Sequence, residues 1–204
     1  CWDDNPSNKF NIDKPIVRLH EPTFNADEII AFTNQMLTTK VTMGEKVTKF
    51  EKKYCDKYGY KHGVSNNSGS SANLLMLSVL TSKLTKNNLK KGDEVIIPAL
   101  TWSTTVWPVI QMGLIPVYVD CNLQTFNMDA NKIEEAISDK TKAIFSVPIY
   151  GNPCEIDDIL SICKKYNLML IEDCCESMGA KYKDKYVGSF GRVASFSFYY
   201  SHHI

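Results

Sequence analysis

The sequence lacks an excess of charge of either sign, because 23 lysine and arginine residues balance 23 aspartate and glutamate residues. It also lacks any arginine-rich run. Proteins that bind nucleic acid or anionic lipid carry a basic field that attracts the polyanion. The charge balance therefore predicts neither nucleic acid nor a membrane surface as a partner.

Long apolar runs and paired cysteine motifs are also missing. No stretch approaches the roughly 20 apolar residues that cross a bilayer. The seven cysteines are an odd number, and none lies in a C-x-x-C arrangement. This pattern is typical of a reduced, cytoplasmic protein. The four histidines have no metal-ligand spacing, so no metal site is predicted.

The residues that are present predict one α/β domain with a full core, since the chain has 204 residues and 44% of them are hydrophobic. From residue 92 onward, short apolar strands alternate with amphipathic helices. Strands are predicted at 94–97, 114–119, 143–147 and 168–172, and helices at 103–112, 129–138 and 155–166. This alternation predicts right-handed βαβ units and a mainly parallel sheet covered on both faces.

The first part of the chain is predicted to be less regular. Residues 1–24 are polar and contain three prolines, so they are interpreted as an N-terminal arm, with residues 25–204 as the large domain. Helices are predicted over 26–37 and after a capping box at Thr42–Glu45. A strand is expected at His62–Ser65, then a turn of small residues and a buried helix from Leu74. Because no terminating signal ends the chain, we expect a fragment of a longer protein.

Seven residues that could hold a ligand fall where the carboxyl ends of the strands are expected, and parallel sheets bind ligands at that edge. They are Ser70, Ser71, Trp102, Asp173, Glu176, Ser197 and His202. Taken singly, each has an ordinary structural interpretation, such as a core aromatic for Trp102 or a turn cap for Asp173. Taken together, they meet the requirements of pyridoxal or pyridoxamine phosphate.

Each part of that cofactor needs a different kind of residue. Its phosphate needs donors, which serine hydroxyls and a helix N-terminus supply. Its ring needs a flat apolar partner, which Trp102 can be. Its ring nitrogen must stay protonated to act as an electron sink, and a buried carboxylate such as Asp173 holds that proton by charge pairing. Glu176 is close enough in sequence to reach the ring hydroxyl.

Six blocks, in their order, resemble those of the sugar aminotransferase family of fold-type I vitamin B6 enzymes. They are SGSSAN at 68–73, PALTWSTT at 98–105, VYVD at 117–120, YGNP at 150–153, EDCCESMGA at 172–180 and GSFG at 188–191. The resemblance extends from about residue 24 to 204. It implies phosphate contacts from Ser70, Ser71 and Ser197, ring stacking by Trp102 and a pyridinium contact from Asp173. It also implies a smaller C-terminal domain and a homodimer with a shared active site.

The sequence departs from this family at one position. Where the family usually has a lysine that holds the cofactor covalently, this chain has His202, within SFYYSHHI at 197–204. Imidazole forms no stable bond of that kind but transfers protons. This form resembles the nucleotide-sugar 3-dehydratase branch of dideoxysugar and surface-polysaccharide biosynthesis, which removes the C3 hydroxyl from a nucleotide-linked 4-keto-6-deoxyhexose. The resemblance implies His202 as the catalytic residue, with His203 in support.

Several alternatives stay open at this point. The resemblance favours GDP-4-keto-6-deoxymannose as the substrate and leaves CDP-4-keto-6-deoxyglucose possible. It implies L-glutamate as the amino donor, whereas CDP-linked relatives take electrons from an iron–sulfur partner. An ordinary aminotransferase would need a lysine from elsewhere, and Lys181, Lys183 and Lys185 precede the site. A non-catalytic sensor or scaffold would keep the pocket and lose the catalytic group.

Overall fold

The fold is built on a five-stranded parallel sheet. The computed structural model describes residues 10–13, 15, 24–42, 44–200 and 202. Its strands are β1 (Glu94–Pro98), β2 (Ile115–Val119), β3 (Thr141–Ser146), β4 (Met169–Asp173), β5 (Lys181–Tyr182), β6 (Lys185–Tyr186) and β7 (Val193–Ser195). The sheet order is β2-β1-β3-β4-β7 with every pairing parallel, and β5 and β6 form a separate antiparallel hairpin. The predicted α/β class with a mainly parallel sheet is confirmed.

The helices that the described residues form are α1 (Ala26–Leu37), α2 (Glu45–Tyr58), α3 (Gly69–Thr81), α4 (Ser103–Gln111), α5 (Ala130–Ile133) and α6 (Ile156–Tyr166). The helix predicted over 26–37 is confirmed, and a capping box of Asn25 and Glu28 starts it. Within the described ranges, every helix is too short or too polar to cross a bilayer. The proposed arm at residues 1–24 lies mostly outside the described residues.

Two predictions in the first part of the chain are wrong. Residues 62–65 form no strand, because the Ser65 amide and hydroxyl both donate to the Glu51 carboxylate at 2.8 Å instead of joining a sheet. The capping box predicted at Thr42–Glu45 is also wrong. The N-cap of α2 is Gly44, which leaves Glu45 at the first helical position rather than the third. There Glu45 pairs with Lys49, one turn further along the helix.

Two helices differ in length from the prediction. Helix α3 begins at Gly69 rather than Leu74, because Ser68 caps it by accepting the Ser71 amide at 3.1 Å. The helix predicted over 129–138 is a single α-turn followed by a 3₁₀ turn at Glu134–Ala136. A turn closed by Ser138 and Thr141 ends it, since the Ser138 amide donates to the Thr141 hydroxyl at 2.9 Å.

Buried side chains cover both faces of the sheet. Successive residues of a strand face opposite sides, so Ile96 and Ile144 pack with residues of α5 and α6. Val95 and Phe145 lie on the other face and pack with residues of α3 and α4. This two-sided burial fixes the sheet between its helices and holds the carboxyl ends of the strands at one edge.

A buried carboxylate fixes the loop that leads into β7. Glu172 is 1% exposed and accepts the amides of Gly188 at 2.7 Å, Phe190 at 2.9 Å and Gly191 at 2.5 Å. Burial raises the pKa of Glu172, and the three backbone donors act in the opposite direction. Glycine is required at 191 because a Cβ there would lie 2.7 Å from the Leu170 carbonyl oxygen.

Glu172→Gln should destabilise the protein. The glutamine side chain keeps one acceptor oxygen but replaces the other with an NH2 donor, which would face backbone N–H groups that are also donors. The expected loss in free energy of unfolding is about 1–3 kcal/mol, the cost of leaving a buried donor unsatisfied. Urea unfolding measures it. Glu135→Gln, at an exposed position, is the matched control and should stay within about 0.5 kcal/mol of the wild type. Equal losses in the two variants would contradict the role of Glu172 in holding the loop at 188–191.

Candidate active site

The carboxyl ends of β1, β3, β4 and β7 open into one cleft. Six of the seven predicted site residues line it: Ser70, Trp102, Asp173, Glu176, Ser197 and His202. The seventh, Ser71, lies in the first turn of α3 but is not part of this lining. Its hydroxyl lies 3.2 Å from that of the capping residue Ser68. The structure therefore brings six of the seven to this cleft, and Ser71 does not line it.

The most constrained group in the cleft is the carboxylate of Asp173, which is 4% exposed. Its Oδ2 accepts Asn73 Nδ2 at 2.8 Å and Thr105 Oγ1 at 2.7 Å. Its Oδ1 accepts the Cys175 amide at 3.2 Å and lies 3.3 Å from the Ser195 hydroxyl. Ser195 donates in turn to Asn73 Oδ1 at 2.6 Å. Side chains from α3, α4 and β7 thus hold one carboxylate at the end of β4.

Sequence reasoning missed Asn73, Thr105 and Ser195. Each is at most 2% exposed, and each is polar. Asn73 precedes the apolar run of α3, while Thr105 lies inside α4. A polar residue at a position expected to be buried requires a hydrogen-bond partner. That requirement could have marked these three residues as hydrogen-bonded, but it does not identify Asp173 as their partner.

The start of α3 lies against the segment after β7. A helix leaves its first amides without partners in the helix and carries a partial positive charge at that end. Gly69 brings this end close to Ser197, because a Cβ at 69 would lie 2.9 Å from Ser197 Cβ and 2.9 Å from Cys175 Sγ. The hydroxyls of Ser70 and Ser197 therefore flank free backbone donors, an arrangement that suits a phosphate group.

Trp102 and Glu176 lie after β1 and β4 respectively. Trp102 is the N-cap residue of α4 and is 72% exposed, so it is not a core aromatic. Its indole is available as a flat surface in the cleft. Glu176 is half-buried, and its carbonyl oxygen lies 4.0 Å from where a Cβ of Gly151 would be. The loops that follow β3 and β4 are therefore adjacent at the cleft.

His202 is half-buried and is held by the turn that precedes it. Its amide donates to the Tyr199 carbonyl at 3.0 Å, and its ring centre lies 5.6 Å from that of Tyr199. The Tyr199 amide donates to the Ser197 hydroxyl at 3.2 Å. The chain thus turns between Ser197 and His202. His203 lies outside the described residues.

An aromatic cluster connects this turn to α2. Phe198 packs edge-on against Phe50 and Tyr54, with ring centres 5.4 and 5.8 Å apart. Phe196 packs against Tyr54 at 5.6 Å and against Tyr60 at 5.0 Å. Burial raises the pKa of both phenols, so they stay protonated. The cluster therefore fixes the direction of the segment that carries His202.

The cysteines in this region are unsuited to nucleophilic chemistry. Burial raises the pKa of Cys174 well above its ordinary value and raises that of Cys175 as well. The reactive form of cysteine is the thiolate, which such burial disfavours. Among the described residues, no group of three or more His, Cys, Asp or Glu side chains is arranged to hold a metal ion.

Comparison with known protein families gives one match over most of the chain. The model of the DegT/DnrJ/EryC1/StrS aminotransferase family matches residues 22–204. The chain belongs to this family. A GDP-4-keto-6-deoxy-D-mannose 3-dehydratase from Escherichia coli O55:H7 is 42% identical over 186 residues, which are 91% of this chain and 48% of the relative. The lipopolysaccharide biosynthesis protein RfbH of Salmonella typhimurium is 46% identical over 180 residues, or 88% of this chain and 41% of the relative.

Solved structures of family members agree with this assignment. E. coli GDP-4-keto-6-deoxy-D-mannose-3-dehydratase with bound hydrated PLP superposes with a TM-score of 0.86 at 43% identity, covering 91% of this chain and 48% of that one. Other structures of GDP-4-keto-6-deoxymannose-3-dehydratase contain GDP-perosamine or a trapped PLP–glutamate adduct, and one has lysine and asparagine in place of a histidine and the serine before it. The predicted fold type is confirmed, and the chain spans about half the length of the curated relatives it matches.

The cleft residues fit pyridoxal phosphate, the cofactor that this solved relative binds. The buried carboxylate of Asp173 suits a protonated ring nitrogen, since it is already fixed by hydrogen bonds on both oxygens. The start of α3 beside Ser197 suits the phosphate, and the exposed indole of Trp102 suits the ring face.

Thr105→Val should lower the free energy of unfolding by about 1–3 kcal/mol, because the buried carboxylate of Asp173 loses one of its donors. Added pyridoxal phosphate should recover part of this loss, since its ring nitrogen gives the carboxylate a new partner. Thermal unfolding with and without the cofactor measures both effects. Thr48→Val, on the exposed side of α2, is the control. A variant as stable as the wild type would mean that Thr105 does not support the carboxylate.

Proposed function

We propose that this chain carries the cofactor-binding part of a nucleotide-sugar 3-dehydratase. The enzyme removes the C3 hydroxyl from a nucleotide-linked 4-keto-6-deoxyhexose, with GDP-4-keto-6-deoxymannose as the favoured substrate, in dideoxysugar synthesis for surface polysaccharide. The observation that carries the proposal is that His202, where the family usually has a lysine, lines the same cleft as Trp102 and Asp173. The 42% identity to a dehydratase of this kind supports it.

The residues of the cleft have distinct tasks in this reaction. When bound, pyridoxamine phosphate supplies an amine for the C4 ketone and a protonated ring that withdraws electrons. Asp173 holds the proton on the ring nitrogen, and its own hydrogen bonds keep the carboxylate in place. Trp102 covers a face of the ring, and Glu176 contacts the ring hydroxyl. Ser70 and Ser197 contribute donors to the phosphate site at the start of α3, whereas a contact from Ser71, which does not line the cleft, stays a prediction from the resemblance.

His202 moves the proton that the reaction requires. Its imidazole would accept a proton from the exocyclic carbon of the bound cofactor and deliver a proton to the C3 hydroxyl, which would leave as water. A lysine here would hold the cofactor covalently and favour amino transfer instead. The Ser-His pair at 201–202 has the same order as the serine and histidine replaced together in the solved variant. That agreement supports the assignment of His202.

Two further features of the complete enzyme follow by the same reasoning. L-glutamate is the proposed amino donor, supported by the glutamate adduct in a solved relative. The described cysteines are unpaired, which favours a reducing, cytoplasmic location. A homodimer with a shared active site is supported by an apolar set of exposed side chains on α3, on α4 and just before α4, namely Leu75, Val79, Leu100, Trp107 and Ile110.

His202→Asn in the full-length protein should lower the rate of C3 deoxygenation by about 10²–10⁴-fold, because asparagine cannot accept the proton. The assay measures release of the deoxygenated keto sugar from GDP-4-keto-6-deoxymannose in the presence of L-glutamate. His203→Asn is the matched control and should retain most of the activity. An equal loss in both variants, or loss in His203→Asn alone, would contradict the assignment.

The same samples distinguish the alternative functions. Borohydride reduction of the wild type with pyridoxal phosphate should leave no lysine joined to the cofactor, whereas His202→Lys should give such a bond. A lysine adduct in the wild type, together with an amino sugar as product, would favour an aminotransferase. A protein that binds the cofactor but converts no sugar would favour a sensor or scaffold.

The full-length protein should be a dimer in solution, and Trp107→Asp should shift it toward monomer because a buried charge at an apolar interface is costly. Light scattering coupled to gel filtration measures the mass. Leu123→Asp is the control, since Leu123 is also exposed and lies outside this apolar set. A wild-type monomer at micromolar concentration would refute the dimer.

A further inference from the structure

Tyr150 occupies a central place in the cleft that the reaction described above does not use. It follows β3, which lies between β1 and β4 in the sheet. Its loop is therefore flanked by the loop that carries Trp102 and the loop that carries Glu176. Its side chain is 83% exposed and lines the cleft with both of them. The cofactor ring and phosphate have other partners, so this phenol is available to a second ligand.

The backbone at this position has an unusual conformation for a tyrosine. Tyr150 has φ +49° and ψ +32°, in the left-handed region, and Gly151 after it has φ +81°. A non-glycine residue adopts that region at a cost, and the surrounding structure must hold it there. The conformation turns the chain sharply after β3 and leaves the phenol on the cleft side.

Asn127 provides the surrounding structure that holds this loop. Its side chain is 3% exposed, and its Oδ1 accepts the Ile149 amide at 2.9 Å. Its Nδ2 donates to the carbonyls of Asn152 at 3.0 Å and Pro153 at 3.1 Å. One buried amide thus bonds the chain on both sides of Tyr150. The phenol is exposed while the backbone beneath it is fixed, which is the arrangement of a preorganised binding residue.

We propose that Tyr150 binds the hexose of the nucleotide-sugar substrate, an inference that rests on the proposed function. The phenol offers an aromatic face to the C–H groups of a sugar ring and a hydroxyl to its oxygen atoms. The hexose is the part of the substrate that must approach the cofactor ring, and Tyr150 lies beside the residues assigned to that ring. The nucleoside is separated from the hexose by the diphosphate and therefore lies further from the cofactor ring and from Tyr150.

The test compares Tyr150→Phe and Tyr150→Ala in the full-length protein with the same changes at Tyr118. Tyr118 is a matched control because it is 56% exposed on the edge strand β2 and lies outside this cleft. Calorimetric titration with GDP-mannose and with GDP separates the hexose from the nucleotide. Tyr150→Ala should weaken GDP-mannose binding about ten-fold and leave GDP binding unchanged. Tyr150→Phe should fall between Tyr150→Ala and the wild type, because it keeps the ring.

Turnover provides a second readout on the same variants. Tyr150→Ala should raise the KM for the 4-keto sugar about ten-fold, with the cofactor absorbance and the half-reaction with glutamate unchanged. Equal affinity of Tyr150→Ala and wild type for GDP-mannose would overturn the inference. So would an equal loss of GDP binding, a slower glutamate half-reaction or a loss of the dimer. If the wild type binds GDP-mannose through Tyr150 but dehydrates no sugar, the proposed function fails and the binding role stands.

Discussion

The site depends on the hydrogen bonds that fix the Asp173 carboxylate. A buried carboxylate is costly unless its oxygen atoms are satisfied, and here Asn73, Thr105 and the Cys175 amide satisfy them. The donors come from α3, α4 and the loop after β4, so the carboxylate can be held only when these elements are packed around the sheet. Packing of the core therefore also places the hydrogen-bond donors that hold Asp173.

The end of β4 serves two sides of the molecule at once. Adjacent residues of a strand point in opposite directions, so Glu172 and Asp173 contact different parts of the molecule. Glu172 faces the loop at 188–191 and holds it through three amides, while Asp173 faces the cleft. The loop fixed by Glu172 leads into β7, which carries Ser195 to the Asp173 carboxylate. The loop at 188–191 and β7 therefore connect the two neighbouring carboxylates structurally.

The sequence predicted the regular part of the fold well because periodicity is a local property. Strands β1 to β4 and the helix over 26–37 could each be predicted from the pattern of a few neighbouring residues, whereas the short strands β5, β6 and β7 were not predicted. The supposed strand at 62–65 failed because a strand also needs a neighbour, and Ser65 is bonded to Glu51 instead. Asn73, Thr105 and Ser195 were missed for a related reason. Their partner Asp173 is 100, 68 and 22 residues away along the chain, and no local pattern records such contacts.

The cleft is built from two parts with separate contacts, and this separation bears on how such enzymes diverge. The Asp173 carboxylate receives its donors from α3, α4, the loop after β4 and Ser195 of β7, and none of the described donors belongs to the turn at 197–202. That turn is attached separately, through the aromatic packing of Phe198 on Phe50 and Tyr54. Under the proposed function, a change of the residue at 202 would therefore alter the reaction without disturbing the hydrogen bonds that hold the Asp173 carboxylate.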